Sequence, residues 1–233
     1  KKMRLDVKDK RILVIVAHQD DETIGCGGTL AKWSSEGANI KVCFMTDGAT
    51  GFSSNSGLKA KIKEIRFDEA NEACKVLGIK SVHSLGIPCQ EVSNTTRNFH
   101  MVIKLIRDFR PEIVISHNKL CKHRDHKQTA EIVREACWKS EEDVLESLGE
   151  VHKVKMLLQC EILDPIISPD FIVDITDFYN DKENALEKYK SQEKIIPGIN
   201  NYINGLSYVR GYSIGAGKRG EAFLISNDIP IVL

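Results

Sequence analysis

Apolar side chains fill every position from 12 to 16 (ILVIV), the pattern of a strand buried on both faces. Residues 40–46 carry the same character and are closed by Asp47-Gly48, so they form a second strand. Residues 81–85 and 113–116 supply a third and a fourth. Between them the period changes. Residues 28–35 are helical and end at Gly37, and residues 59–77 form a long amphipathic helix stopped by Gly78. Its apolar stripe is Ile62, Ile65, Ala70, Ala73, Cys74 and Leu77. A third helix, 94–109, is ended by Pro111, and a fourth covers 126–138.

Strictly alternating strands and helices imply a parallel sheet with right-handed crossovers. The expected fold is therefore α/β, a Rossmann-like, mostly parallel sheet flanked by helices. Further strands are expected at 154–160, 171–175 and 221–225, and further helices at 177–192 and 199–209. The acidic stretch 141–150 reads as an exposed connection. The glycine-rich segments 48–57 and 211–220 read as mobile loops bordering a site opening. No repeat or linker interrupts the 233 residues, so the expectation is one domain, 1–233.

Composition narrows the function. Lysine plus arginine and aspartate plus glutamate are equal at 33 each, which leaves no net field to favour nucleic acid or an anionic membrane. The apolar run at 12–16 is far short of the roughly 20 residues a membrane helix needs. Seven scattered cysteines without a CxxC pair suit a reducing compartment, and a cytoplasmic location is the expectation. The first residue is Lys1, which leaves room for an upstream segment.

Two polar loops carry the chemistry. His18-Gln19-Asp20-Asp21-Glu22 follows the first strand, and His123-Arg124-Asp125-His126 follows the fourth. In a sheet of order 3-2-1-4 these strands are neighbours whose connections leave in opposite directions, opening a crevice at their carboxyl ends. His18, Asp21 and His126 then offer two imidazoles and a carboxylate, a three-ligand zinc set with a fourth position left for water. Asp20 lies beside the metal as a general base, and His123 faces it as an oxyanion or leaving-group donor. Asp125 is expected to orient an imidazole of its own loop. Either loop alone is also the pattern of a helix cap or a solvated acidic turn. Three consecutive acids between a buried strand and a glycine cluster, however, repel one another unless a cation is near.

The pair of motifs AHQDDE…GCGGTL and HRDH resembles the AHPDDE…GGT and HPDH signatures of the PIG-L/LmbE-type zinc N-deacetylases. The likeness continues through Arg66, Glu69 and Ala73, through Asp174-Ile175-Thr176 with Lys182, Ala185, Ser191 and Gln192, and through Glu221-Ala222-Phe223. The resemblance implies zinc at His18, Asp21 and His126, with iron(II) or another divalent ion as the alternative. It also implies Asp20 as base, His123 as oxyanion donor, and Arg66 in contact with substrate. Asp47 and Cys121 join Arg66 as substrate-binding candidates, Cys121 standing where some members carry a tyrosine. Gln19 and Arg124 replace the prolines of the two motifs, which removes a fixed φ but no ligand. The implied substrate is a small N-acetylated amino-sugar compound and the implied assembly a homo-oligomer.

Rival readings are an amidohydrolase for a non-sugar N-acyl compound and a catalytically idle metal- or carbohydrate-binding module. A pure binding module has no use for Asp20. Gly25-Cys26-Gly27-Gly28 is not a dinucleotide loop, because Leu30 breaks the GxGxxG pattern. Lys218-Arg219 is a candidate for an anionic group on a ligand, and His117, at the end of the fourth strand, is the one further histidine expected in the crevice.

Overall fold

The computed structural model describes residues 5–52, 57 and 60–227. Among these, seven strands form one sheet of order β3-β2-β1-β4-β5-β7-β6. The strands are β1 (Arg11–Val16), β2 (Asn39–Thr46), β3 (Ser81–Ile87), β4 (Ile113–His117), β5 (Met156–Cys160), β6 (Phe171–Asp174) and β7 (Gly220–Ile225). Strands β1 to β5 pair in parallel, and β7 runs antiparallel between β5 and β6. The expected neighbourhood 3-2-1-4 is therefore present. The helices are α1 (Asp21–Ser35), α2 (Ile62–Val76), α3 (Thr96–Phe109), α4 (Arg124–Lys139), α5 (Tyr179–Leu186) and α6 (Ile199–Tyr212). None of those described is long and apolar enough to cross a membrane. All seven cysteines are buried and free.

Alternation along β1 feeds two cores. Ile12, Val14 and Val16 pack with Leu30, Trp33 and Leu77 from α1 and the end of α2. Leu13 and Ile15 pack on the other face with Ile103 and Ile106 of α3 and Ile132 and Val133 of α4. Central strands buried on both sides explain the unbroken apolar runs.

Helix α1 starts seven residues earlier than the glycine cluster suggested, because it is two segments joined at a kink. Cys26 has φ −149° and ψ 20°, outside the helical region. The kink frees the amides of Gly28 and Thr29, which donate to the two oxygens of Glu221 at 3.0 and 2.7 Å. Glu221 is buried and paired with Lys182 Nζ at 2.6 Å, and the same ammonium donates to the Ile24 carbonyl on the near side of the kink. One ion pair thus caps the second segment and ends the first. Gly28 is needed for space: a Cβ there would lie 2.7 Å from Ile175 Cδ1.

The helix expected at 177–192 stops at Leu186. Beyond it the chain is drawn to the site-side helices, with Ser191 bonded to Glu69 and Gln192 to the Gly51 carbonyl. The acidic connection 141–150 has mostly surface side chains, but its backbone is anchored. Arg107, 3% exposed, donates to the carbonyls of Ser140, Glu142, Val144, Leu145 and Gly149 at 2.8–3.3 Å. The guanidinium, satisfied by carbonyl dipoles, adds to the packing of Leu145 and Leu148 against the core. Arg107→Met leaves those acceptors without their donor and is expected to lower unfolding free energy by at least about 2 kcal/mol. A urea midpoint unchanged from wild type would refute this anchoring role.

Candidate functional site

β1 and β4 pair in parallel, and at their carboxyl ends the Ala17 amide donates to His117 Nε2 at 2.7 Å. From there the chain enters α1 through His18, Gln19 and Asp20, and α4 through a turn made by Asn118. The Asn118 side chain accepts the Leu120 amide and its carbonyl accepts the Cys121 amide, each at 3.1 Å. His123 caps α4, its Nδ1 accepting the Asp125 amide at 3.2 Å. The two loops therefore meet in one crevice.

Within it, His18 Nδ1, Asp21 Oδ2 and His126 Nε2 form a triangle with sides of 3.2, 3.3 and 3.3 Å. Two ligand atoms held 2.0–2.1 Å from a tetrahedral ion are about 3.3 Å apart, so the spacing suits a small divalent cation. Two other trios bring ligand atoms within 4.8 Å of one another, His18/His123/His126 and Asp21/His117/His126. Hydrogen bonding separates them from the first. His117 Nε2 already accepts the Ala17 amide at 2.7 Å, and His123 Nδ1 is occupied by its capping bond. In the first trio each ring instead has its outer nitrogen held and its inner nitrogen facing in. His18 Nε2 lies 3.0 Å from Asp125 Oδ2, and His126 Nδ1 lies 3.1 Å from Cys121 Sγ. That is how metal-binding histidines are commonly fixed.

The electrostatics agree. Burial would raise the Asp21 carboxyl, but His126 and His117 outweigh it and hold it well below the carboxylate range. Burial would lower His18, yet its bonds to Asp125 and Asp21 bring it up to about 9. A sealed cluster that draws protons onto its imidazoles has a place for positive charge.

Asp20 stands next to the trio without belonging to it. Its φ is +129°, a strained value for a non-glycine residue, at the junction between β1 and α1. Burial moves its carboxyl up to about 7, against the opposing pull of Arg66. Arg66, 4% exposed, reaches from α2 with Nη2 3.2 Å from Asp20 Oδ2 and also bonded to the Gln19 carbonyl. Glu22, the third acid, is turned away and accepts from Thr23 and Tyr189 hydroxyls at 2.6 and 2.5 Å. The three acids are thus held by three different sets of partners.

A family model described as PIG-L, GlcNAc-PI de-N-acetylase, matches residues 13–137, more than half the chain and both loops. The chain belongs to this family. One PIG-L-like relative is the diacetylchitobiose deacetylase of Thermococcus kodakarensis, 30% identical over 46% of this chain and 40% of its own length. The chain spans about half the length of the curated relatives it matches, from 40% to 55% for the first three. Among solved structures, N,N'-diacetylchitobiose deacetylase from Pyrococcus horikoshii, complexed with its inhibitor MPG, superposes with a TM-score of 0.85. It is 25% identical, with 94% of this chain and 84% of that one covered. GalB, the 4-carboxy-2-hydroxymuconate hydratase of Pseudomonas putida KT2440, reaches 0.82 at 22% identity, covering 96% of this chain and 98% of that one. The GalB likeness is one of fold alone.

Several side chains of this PIG-L site lie where the sequence did not put them. Asp125 orients His18 of the first loop, not an imidazole of its own, and also accepts the Gln90 amide at 2.8 Å. Cys121, 4% exposed, is turned inward onto His126 rather than outward to a substrate. Arg66 spends its guanidinium on Asp20 and Gln19. Asp47 pairs at 2.6 Å with Lys63 and accepts the Ala49 amide. Lys218 pairs with Asp174 at 3.2 Å, and Arg219 is packed on the rings of Tyr179 and Tyr208. His117 lies deeper than expected, stacked on His126 with ring centroids 4.1 Å apart. Gln19, in the place of a proline, donates from Nε2 to the Thr46 carbonyl. In the glycine-rich loop 48–57, residues 53–56 lie outside the described ones; its start is held by Gln192 at Gly51.

A trio of this spacing ties metal binding to folding. Adding a divalent ion to chelator-treated protein at 1,000 times its dissociation constant is expected to raise unfolding free energy by about 4 kcal/mol. Thermal melts of His18→Ala and His126→Ala that shift as far as wild type on metal addition would rule the trio out.

Proposed function

We propose that the protein is a metal-dependent N-deacetylase of N-acetylated amino sugars, with zinc held by His18 Nδ1, Asp21 Oδ2 and His126 Nε2. The observation that carries the reading is the triangle of inward-facing ligand atoms with a separate carboxylate, Asp20, fixed beside it. Membership of the family, and relatives named as deacetylases of diacetylchitobiose and of acetamido-deoxyglucosyl inositol, give the substrate class. A zinc ion in that position supplies Lewis acidity toward water and toward an amide carbonyl.

The chain's own groups do the rest. Asp20 accepts the proton of the attacking water at a carboxylate oxygen, and Arg66 keeps that carboxylate aimed and anionic enough to take it. The water oxygen bonds to the carbonyl carbon and the carbonyl π-electrons move onto its oxygen. His123 stabilises that oxyanion as a neutral donor. Its Nδ1 accepts the Asp125 amide, so its proton sits on Nε2. Burial and the neighbouring His126 and His18 lower its pKa and keep the ring uncharged. The carbon–nitrogen bond then breaks as Asp20 returns its proton to the nitrogen, giving acetate and a free amine.

Acetate release from N,N'-diacetylchitobiose and a panel of N-acetylglucosamine conjugates tests the reading. Activity is expected, abolished by a chelator and restored by zinc. Asp20→Asn is expected to keep the metal and lose roughly 10²–10⁴-fold in rate. His123→Asn, which retains a capping side chain for α4, is expected to keep the metal and lose roughly 10²–10³-fold. Release from non-sugar N-acetyl compounds alone would transfer the reading to an amidohydrolase. Wild-type rates in Asp20→Asn would remove the base.

A further inference from the structure

The histidines of the trio are oriented by different chemistry. His18 is fixed directly by a carboxylate, Asp125. His126, 2% exposed, has its ring plane set by stacking on His117 and His123, with centroids 4.1 and 4.6 Å away. Stacking fixes a plane but not which nitrogen points inward. The in-plane contact that makes this choice is Cys121 Sγ, 3.1 Å from Nδ1. If Nε2 is to present a lone pair to a cation, the ring proton must sit on Nδ1, and sulfur is then its acceptor. Against the effect of burial, the Lys122 amide and ammonium and the nearby Cys121 thiol hold the carboxyl of Asp164 below the usual carboxylate range. Asp164 is held by the Lys122 amide at 2.6 Å and its ammonium at 3.5 Å. The Asn118 turn fixes the cysteine backbone from the other side.

We propose that Cys121 is the positioning residue for His126: its sulfur accepts the Nδ1 proton and turns Nε2 into the metal site. The role rests on reading His126 as a metal ligand. It is the outer-partner arrangement of metal-binding histidines with a thiol in the place of the usual carboxylate or carbonyl. A cysteine where some relatives carry a tyrosine thereby serves the metal from behind instead of the substrate from in front. Because a thiol is a weak acceptor, it orients the ring while adding less basicity than a direct carboxylate would.

The test is zinc affinity, measured on metal-free protein by competition with a chromophoric chelator. Cys121→Ala is expected to weaken zinc binding about 10–100-fold, the usual loss when a metal-bound histidine loses its outer partner. Cys121→Ser, whose hydroxyl can accept the same proton, is expected to recover most of it. Cys137→Ala, at a buried cysteine in the other core, is expected to bind as wild type does. If Cys121→Ala does not fold, Cys121→Val against Cys121→Ser makes the same comparison. Alanine binding zinc as tightly as wild type overturns the role. So does a thiolate-to-cobalt charge-transfer band in the cobalt-substituted wild type, which would make Cys121 a ligand. Wild-type protein that takes up no zinc overturns the deacetylase reading itself, and this role with it.

Discussion

A carboxylate oxygen sealed at the junction of two parallel strands governs this site. Asp21 is 3% exposed, and an isolated anion there would be expensive to bury. Its Oδ2 accepts the His18 amide at 2.8 Å and has ring nitrogens of His18, His126 and His117 at 3.3, 3.3 and 3.5 Å. Three imidazoles are gathered by one charge, and the sheet order makes that gathering possible. Had β1 and β4 been separated by another strand, His18 and His126 could not share a carboxylate. Helix α1 begins at Asp21 for the same reason, since its first turn brings the anion under the loop that precedes it.

The surrounding structure keeps neighbouring charges from competing. Arg66 takes Asp20, Tyr189 and Thr23 take Glu22, and each partner comes from a different element. The kink at Cys26 then returns α1 to the sheet under the control of Glu221 and Lys182. Strain at Asp20 belongs to the same design, because a residue at φ +129° is held only where its surroundings over-determine it. Here the Arg66 contact, the Glu22 side chain on the Asp20 amide and the first turn of α1 do so.

Much of this was legible in the sequence. Apolar runs separated by helical periods dictated β1, β2 and β4, and the position of both polar motifs just after strands dictated that they meet. What escaped was set by residues far away in the chain. Gly25 and Gly27 look like material before a helix that starts at Gly28, whereas both lie inside a kinked helix whose second segment is capped by a carboxylate 193 residues beyond Gly28. Asp125 looks like a partner for its own loop, but α4 aims it across the crevice at His18. Arg107 looks like an ordinary basic residue at the end of an amphipathic helix; its five carbonyl partners follow it in a mostly acidic stretch whose backbone path is not written in any pattern. Nothing local marked β7 as the antiparallel strand inserted between β5 and β6.

The four clustered histidines show why residue type alone did not assign roles. All four rings lie within stacking or edge contact of another, with centroids 4.1–5.2 Å apart. Their functions diverge through the second nitrogen. In His117 a backbone amide occupies Nε2, which leaves a packing ring. In His123 a backbone amide occupies Nδ1, which leaves a neutral N–H donor half open to the crevice. In His18 and His126 side chains hold the outer nitrogen, and the inner lone pair is free for a cation. Backbone donors therefore remove a histidine from the ligand set, whereas carboxylate and thiol acceptors place one in it. The hydrogen bond on the far side of each imidazole, set by tertiary packing, divides a single cluster into ligands, donor and support.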